Sequence, residues 1–222
     1  MIRKLIPFSI RLKIEVEVNK SNSKGSRVVE IPFVVNNIEI RRPCNVLSFG
    51  SFNDIVAIEL ASLGLVVTAF DLTQNVFVHP NFKSVVGDFL ETSKVFEDGS
   101  FDVAYALSSL EHVGLEVYGQ NFNEVGDKQV VKIIERLLKP HGRFLLTVPF
   151  GKKGLYPRAK PTYRKYDLES LRNLLLNFGV LSVDCFGCDS GGSWLPKLPH
   201  ELEDSDSDVP VGVACVVAEK SG

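Results

Sequence analysis

From Asn45 to Glu219 short extended-type runs alternate with amphipathic ones, and this constrains the fold more than any other feature of the chain. NVLSF (45–49), LVVTAF (65–70), KSVVGD (83–88), FDVAYAL (101–107) and RFLLTVP (143–149) predict five strands. Between them, DIVAIELASL (54–63) predicts a helix capped by Asn53 or Asp54 and ended by Gly64. KQVVKIIERLL (128–138) sets Val130, Ile133, Ile134 and Leu137 on one helical face, and KPHG (139–142) stops it. Asp167 caps a further predicted helix that runs to Phe178 with Leu168, Leu171 and Leu175 on one stripe. VLSVDC (180–185) and VGVACVVAE (211–219) have only a polar Gly- and Asp-rich loop between them, which predicts an antiparallel final pair. The expected fold is α/β: a seven-stranded, mostly parallel sheet with an antiparallel last strand and helices on both faces.

The first 40 residues follow a different rule. Ile10, Leu12, Ile14, Val16 and Val18 alternate with polar residues, NKSNSKGS (19–26) reads as a turn, and RVVEIPFVV reads as a second extended run. This predicts a β-hairpin appendage over 1–40 on a main domain of 41–222, with Pro32 at an edge or a break.

Composition excludes several classes. With 25 basic and 27 acidic residues the formal charge is -2, which argues against a general nucleic-acid or acidic-membrane binder. Glu59, Ser62 and Gly64 interrupt the longest apolar stretch, Ile55 to Phe70, so no membrane span is expected. Charges scattered through MIRKLIPFSIRLK leave no clean apolar segment for a signal peptide, so a cytoplasmic location is expected. Four cysteines in 222 residues are too sparse for a disulfide scaffold. Cys185 and Cys188 form a CxxC without a second pair or nearby histidine, so no metal site is expected. Cys44 and Cys215 read as core residues, and the acids from Glu201 to Asp208 as a solvated, mobile loop.

In a parallel sheet the ligand sits at the carboxyl ends of the strands. There the first strand turns at Gly50 into a helix, a place where backbone N–H groups can face a ligand. Asp71 follows the second strand, 21 residues past Gly50, where an acid can accept from both ribose hydroxyls. Asp88, after the third, can accept from an exocyclic amine beside the Phe89 ring. SSLEHVG (108–114) follows the fourth, with Glu111 and His112 as candidate catalytic groups. The polar connection 113–126 holds Tyr118 and has the length of a binding element. After the fifth, residues 151–166 carry Lys152, Lys153, Arg158, Lys160, Arg164 and Lys165 without an acid, interleaved with Tyr156, Tyr163 and Tyr166. That pattern suits either a solvated basic loop or a lid for an anionic group.

VLSFGS, VTAFDL, VVGDFL, FDVAYALSSLEHVG and IERLLKPHGRFLLTVPFG, taken in this order, resemble the class I S-adenosylmethionine-dependent methyltransferases over about Asn45 to Glu219. The resemblance implies a Rossmann-like methyltransferase domain with S-adenosyl-L-methionine as cofactor. It places Gly50, Ser51, Asp71, Leu72, Asp88, Phe89 and Ser108 around that cofactor. It leaves Tyr118, Lys152, Arg158 and Arg164 for the substrate, a small-molecule acceptor that is anionic or sugar-bearing. The first motif departs from the family pattern: Ser48 stands for an acid, and Phe52 and Asp54 stand for glycines. A non-catalytic nucleoside- or partner-binding relative is therefore the alternative expectation.

Overall fold

The computed structural model describes residues 25–39, 43–159, 161–204, 207 and 211–222. Five strands are β1 (Asn45–Phe49), β2 (Val66–Asp71), β3 (Phe82–Val86), β4 (Phe101–Leu107) and β5 (Leu138–Pro149). A small hairpin, β6 (Gly154–Tyr156) with β7 (Tyr163–Lys165), precedes β8 (Phe178–Cys188), β9 (Trp194–Lys197) and β10 (Gly212–Lys220). The main sheet has eight strands in the order β3-β2-β1-β4-β5-β10-β8-β9. β1 to β5 run parallel, and β10 enters between β5 and β8 antiparallel to both.

Alternation along the strands explains the two-sided core. Leu47, Ala104, Ala106 and Leu146 face one helix layer, whereas Val46, Val103, Tyr105 and Leu145 face the other. The first layer includes α4 (Gly126–Leu137) through Val130, Ile134 and Leu137, and α5 (Leu168–Leu174) through Leu171 and Leu174. The second includes α2 (Ile55–Ser62), whose Asp54 cap accepts from the Val56 N–H, and α1 (Arg27–Asn37). Two short helices, α3 (Phe89–Thr92) and α6 (His200–Glu203), complete the set.

Four expectations change. RVVEIPFVV is helix α1 and not a hairpin strand, with Pro32 inside it. Its β-branched residues favour strand locally, but Glu30, Val34 and Ile38 recur every four residues and are all buried, so tertiary packing decides. The first predicted hairpin arm and the 40/41 boundary lie outside the described residues. Part of the loop before β10 forms edge strand β9, making eight strands where seven are expected. KPHG lies within β5, where His141 has φ 61 and the pairing with β4 shifts register. Finally, α5 stops at Leu174, short of Phe178.

Candidate active site at the carboxyl edge of the sheet

A cavity of about 450 Å³ opens at the carboxyl ends of the parallel strands. At the end of β1, Gly50 takes φ +67, and a Cβ there would collide with the Ser109 side chain, so only glycine fits the turn. The Gly50 and Ser51 N–H groups both donate to the Phe70 carbonyl. The Ser51 hydroxyl donates to the same carbonyl and is buried, and its side chain does not line the cavity.

Behind the first turn, Asp54 lies against Ser48. The Asp54 carboxylate accepts from Ser48 Oγ at 3.0 Å, Tyr105 Oη at 2.6 Å and the Val56 N–H at 2.9 Å. An acid from position 54 thus sits against the hydroxyl of position 48. Burial raises its pKa, and these hydrogen bonds oppose the rise.

Asp71 lines the cavity at the end of β2. Its Oδ2 accepts the Phe52 N–H and its Oδ1 the Thr73 N–H, both at 2.9 Å. Each carboxylate oxygen has a second lone pair, so two acceptor positions remain for a ligand. Leu72 lines the same wall. Asp88 also lines the cavity, with Oδ1 accepting the Leu90 N–H. Phe89 is a buried wall ring, edge-on to Phe49 at 5.0 Å and to Phe70 at 4.8 Å. The Phe52 ring is 51% exposed and lines the cavity, so it is not packed away on α2.

Ser108, at the end of β4, lines the cavity with φ 41. Its hydroxyl donates to Glu30 Oε1, which also accepts from Thr147 Oγ1 at 2.8 Å. Glu30 Oε2 accepts from Ser26 Oγ and Arg27 Nη1, each at 3.1 Å. A fully buried carboxylate therefore ties α1 to β4 and β5 and orients Arg27, a cavity-lining side chain. Neither residue stands out in the sequence, where their helix reads as a strand. The available signal is a lone Glu in an apolar run with spacing 30, 34, 38.

His112 lines the cavity, and its Nδ1 lies 2.8 Å from the Thr162 carbonyl. A carbonyl only accepts, so Nδ1 carries the proton and Nε2 holds the free lone pair. Burial lowers the His112 pKa, and neighbouring Arg164 and Arg27 lower it further against the Thr162 hydrogen bond. Glu111 Oε1 lies 3.9 Å from Nε2, while its buried Oε2 has no hydrogen-bond partner among the described residues. Desolvation pushes the Glu111 carboxyl up to about 8, so it is largely protonated at neutral pH. Glu111 sits behind His112 and does not line the cavity, unlike Tyr118, which meets the His112 ring edge-on at 5.7 Å.

The basic segment plays another part than the expected anion lid. Lys152 and Arg158 are exposed and do not line the cavity. Arg164 donates to the carbonyls of Val113, Asn123 and Glu124 and lies 3.9 Å from Asp127, so it pins the 113–126 connection. Tyr156 and Tyr163 are buried and stacked at 5.4 Å, with the buried Lys165 ammonium 4.2 Å from the Tyr156 ring centre. What this segment gives the cavity is Pro161 in its wall and the Thr162 carbonyl on His112.

Cys44, Cys185, Cys188 and Cys215 are free thiols, and no group of residues that could hold a metal occurs among the described residues. Of the acidic run, Glu201 to Glu203 fall in α6, where Leu202 is buried and Glu203 accepts the Leu168 N–H, so this part is not a solvated loop. Asp206 and Asp208 lie outside the described residues. No described helix is long and apolar enough to cross a membrane.

Residues 53–188 match the family described as Caenorhabditis protein of unknown function, DUF268. The chain belongs to that family. No curated protein matches it in sequence. Among solved structures it is similar to the 1,6-didemethyltoxoflavin-N1-methyltransferase of Burkholderia thailandensis, solved with 1,6-didemethyltoxoflavin and S-adenosylhomocysteine. The TM-score is 0.61 at 17% identity, over 98% of this chain and 91% of that one. An S-adenosylmethionine-dependent methyltransferase of Mesorhizobium loti matches with TM-score 0.63 at 13% identity, over 90% and 100% of the two chains. The [4+2]-cyclase SpnF matches with TM-score 0.62 at 16% identity, over 86% and 79%. The fold of this DUF268 member is that of the class I S-adenosylmethionine-dependent methyltransferases.

Proposed function

We propose that this protein transfers a methyl group from S-adenosylmethionine to a small molecule that carries an exchangeable proton. The observation that carries this is one cavity lined by Asp71, Asp88, Arg27 and His112, whose Nδ1 contact with the Thr162 carbonyl leaves Nε2 as the acceptor nitrogen. A volume of about 450 Å³ suits small molecules. The residues present fit the cofactor. Asp71 keeps lone pairs for ribose hydroxyls, Asp88 lines the cavity as the acid for an exocyclic amine, and Leu72 and Phe89 give apolar walls. Arg27, oriented by Glu30, offers forked donors to the carboxylate of the amino-acid end.

When bound, S-adenosylmethionine supplies a methyl group on a sulfonium sulfur, a strong electrophile. The chain has to align the acceptor, exclude water and take a proton. His112 Nε2 takes that proton, and the Thr162 carbonyl keeps the tautomer that makes this possible. Glu111 lies buried behind the ring, with Oε1 3.9 Å from Nε2.

Calorimetric titration with S-adenosylhomocysteine, followed by turnover with His112→Asn, tests this. Micromolar binding with turnover lost in the variant at unchanged affinity is expected; no binding at millimolar concentration overturns it. Phe52 supports a second reading, a nucleoside-binding protein without methyl transfer, because its ring stands in the cavity wall where the family pattern has glycine. SpnF, a [4+2]-cyclase on a similar fold, fits that reading too.

A further inference from the structure

We infer that the β6–β7 hairpin clamps His112 in its proton-accepting tautomer, with Arg164 as the positioning residue; this rests on the function proposed above. The first grip is on the ring. Thr162, the residue before β7, sets its carbonyl 2.8 Å from His112 Nδ1. The second grip is on the backbone beside it. Arg164 Nη1 donates to the carbonyl of Val113, the residue after His112, and Nη2 donates to the carbonyls of Asn123 and Glu124 at 3.4 and 3.3 Å. These three carbonyls meet because the 113–126 connection closes on itself, with the Asn123 N–H donating to the Gly114 carbonyl at 2.9 Å. A Cβ on Gly114 would overlap the Asn123 carbonyl, so the closure needs glycine there. A guanidinium can bridge such a junction because its N–H groups are set in a rigid fork.

The segment that supplies both grips is itself fixed. β6 and β7 pair with Tyr156 opposite Tyr163 and Leu155 opposite Arg164, and the two tyrosine rings stack at 5.4 Å. At the far end the Tyr166 carbonyl accepts the Gly151 N–H, and the Tyr166 N–H donates to the Pro149 carbonyl, which anchors the hairpin to the end of β5. The Tyr166 hydroxyl donates to Asp127 Oδ2 at 2.9 Å, and the same oxygen lies 3.9 Å from Arg164 Nε. A loop staple alone explains Arg164 on the three carbonyls. It does not explain why the carbonyl two residues before Arg164 closes on the His112 ring. If the turn at Val113 slips, Nδ1 leaves Thr162 and the proton is free to move to Nε2, which removes the lone pair that takes the acceptor's proton. The charged and titratable groups around the ring are Arg164 from β7, Arg27 from α1, Glu111 with Oε1 3.9 Å from Nε2, and Tyr118 edge-on at 5.7 Å. Burial first, then the two guanidiniums, hold the ring below the ordinary histidine range, so it is neutral at pH 7 and its tautomer decides which nitrogen can act.

Nitrogen NMR of the full chain, with its histidine rings isotope-labelled, reads the ring directly. His112→Asn identifies the signal among the four histidines. In the natural protein His112 is expected to carry its proton on Nδ1 and to titrate below the ordinary 6.5. Arg164→Gln removes both fork and charge: a form protonated on Nε2 should appear beside the first, and proton affinity should rise roughly threefold, about half a pH unit. Arg164→Lys keeps the charge and loses the fork, so the second form should appear while the titration midpoint stays near that of the natural protein. It also carries the test if Arg164→Gln does not fold. A proton on Nε2 in the natural protein overturns the inference, as does the natural tautomer retained in a folded variant. S-adenosylhomocysteine titrated into the same samples reports on the proposed function. Absence of binding overturns that function, whatever the ring shows, so the two failures are distinct.

Discussion

At the residue scale, Asp71 and Glu111 show how one side-chain type does opposite work in opposite surroundings. Asp71 faces the cavity and already accepts two backbone N–H groups, so it shapes the Phe52 turn as well as offering lone pairs to a ligand. Asp71→Ala should weaken S-adenosylhomocysteine binding by about 1.5–3 kcal/mol, the range for hydrogen bonds to a charged group. Unchanged affinity in a folded variant would remove Asp71 from the site. Glu111 is sealed in, and its carboxyl rises from 4.5 to about 8. Between those values the folded protein holds a proton that the unfolded chain has released. Stability therefore falls as pH rises through that window and levels off above it. Glu111→Gln cannot ionise, so relative to wild type it should gain stability from pH 5 to pH 8, by about 1 kcal/mol or more. Urea unfolding at the two pH values measures this, and a constant difference would mean that Glu111 is ionised in the fold.

Among the elements, the parallel strands were legible because short apolar runs separated by capped helices leave few alternatives. Helix α1 was not: Val28, Val29, Ile31, Val34 and Val35 prefer strands, and Pro32 argues against a helix interior, yet Glu30 binding at the ends of β4 and β5 outweighs both. Missing α1 hid Arg27, and with it the cation at the cavity. Asp71, Asp88, Ser108 and His112 line the cavity at the strand ends where the order of elements in the sequence puts them. For Arg164 a sequence shows the charge but not the carbonyls that engage it. Arg164→Ala should lower stability by about 1–3 kcal/mol and loosen the 113–126 connection, since it leaves the carbonyls of Val113, Asn123 and Glu124 without that donor. Lost acceptor affinity at unchanged urea midpoint would return Arg164 to the substrate.

For the whole molecule, the question is whether a sheet with a rearranged first motif still binds its ligand, and Phe52 decides it. Gly50 makes the turn, Asp54 restores an acid beside Ser48, and Asp71 holds the Phe52 N–H, so the loop backbone is ordered without the missing glycines. The ring is half exposed, so it borders the cavity without filling it. A ligand that binds only the folded state stabilises it by about 2.7 kcal/mol at a hundredfold excess over Kd. For a domain of this size that is a rise in Tm of roughly 5–10 °C. With a Kd on the order of 10 μM, 1 mM S-adenosylhomocysteine should give that rise. Phe52→Gly should keep the affinity within about tenfold, which is 1.4 kcal/mol, and so alter the ligand-induced rise by no more than roughly 3–6 °C. A much larger rise in Phe52→Gly than in the natural protein would show that the ring obstructs the site, and the non-catalytic reading would gain. No rise in either protein at millimolar ligand would leave the methyltransferase fold without its cofactor.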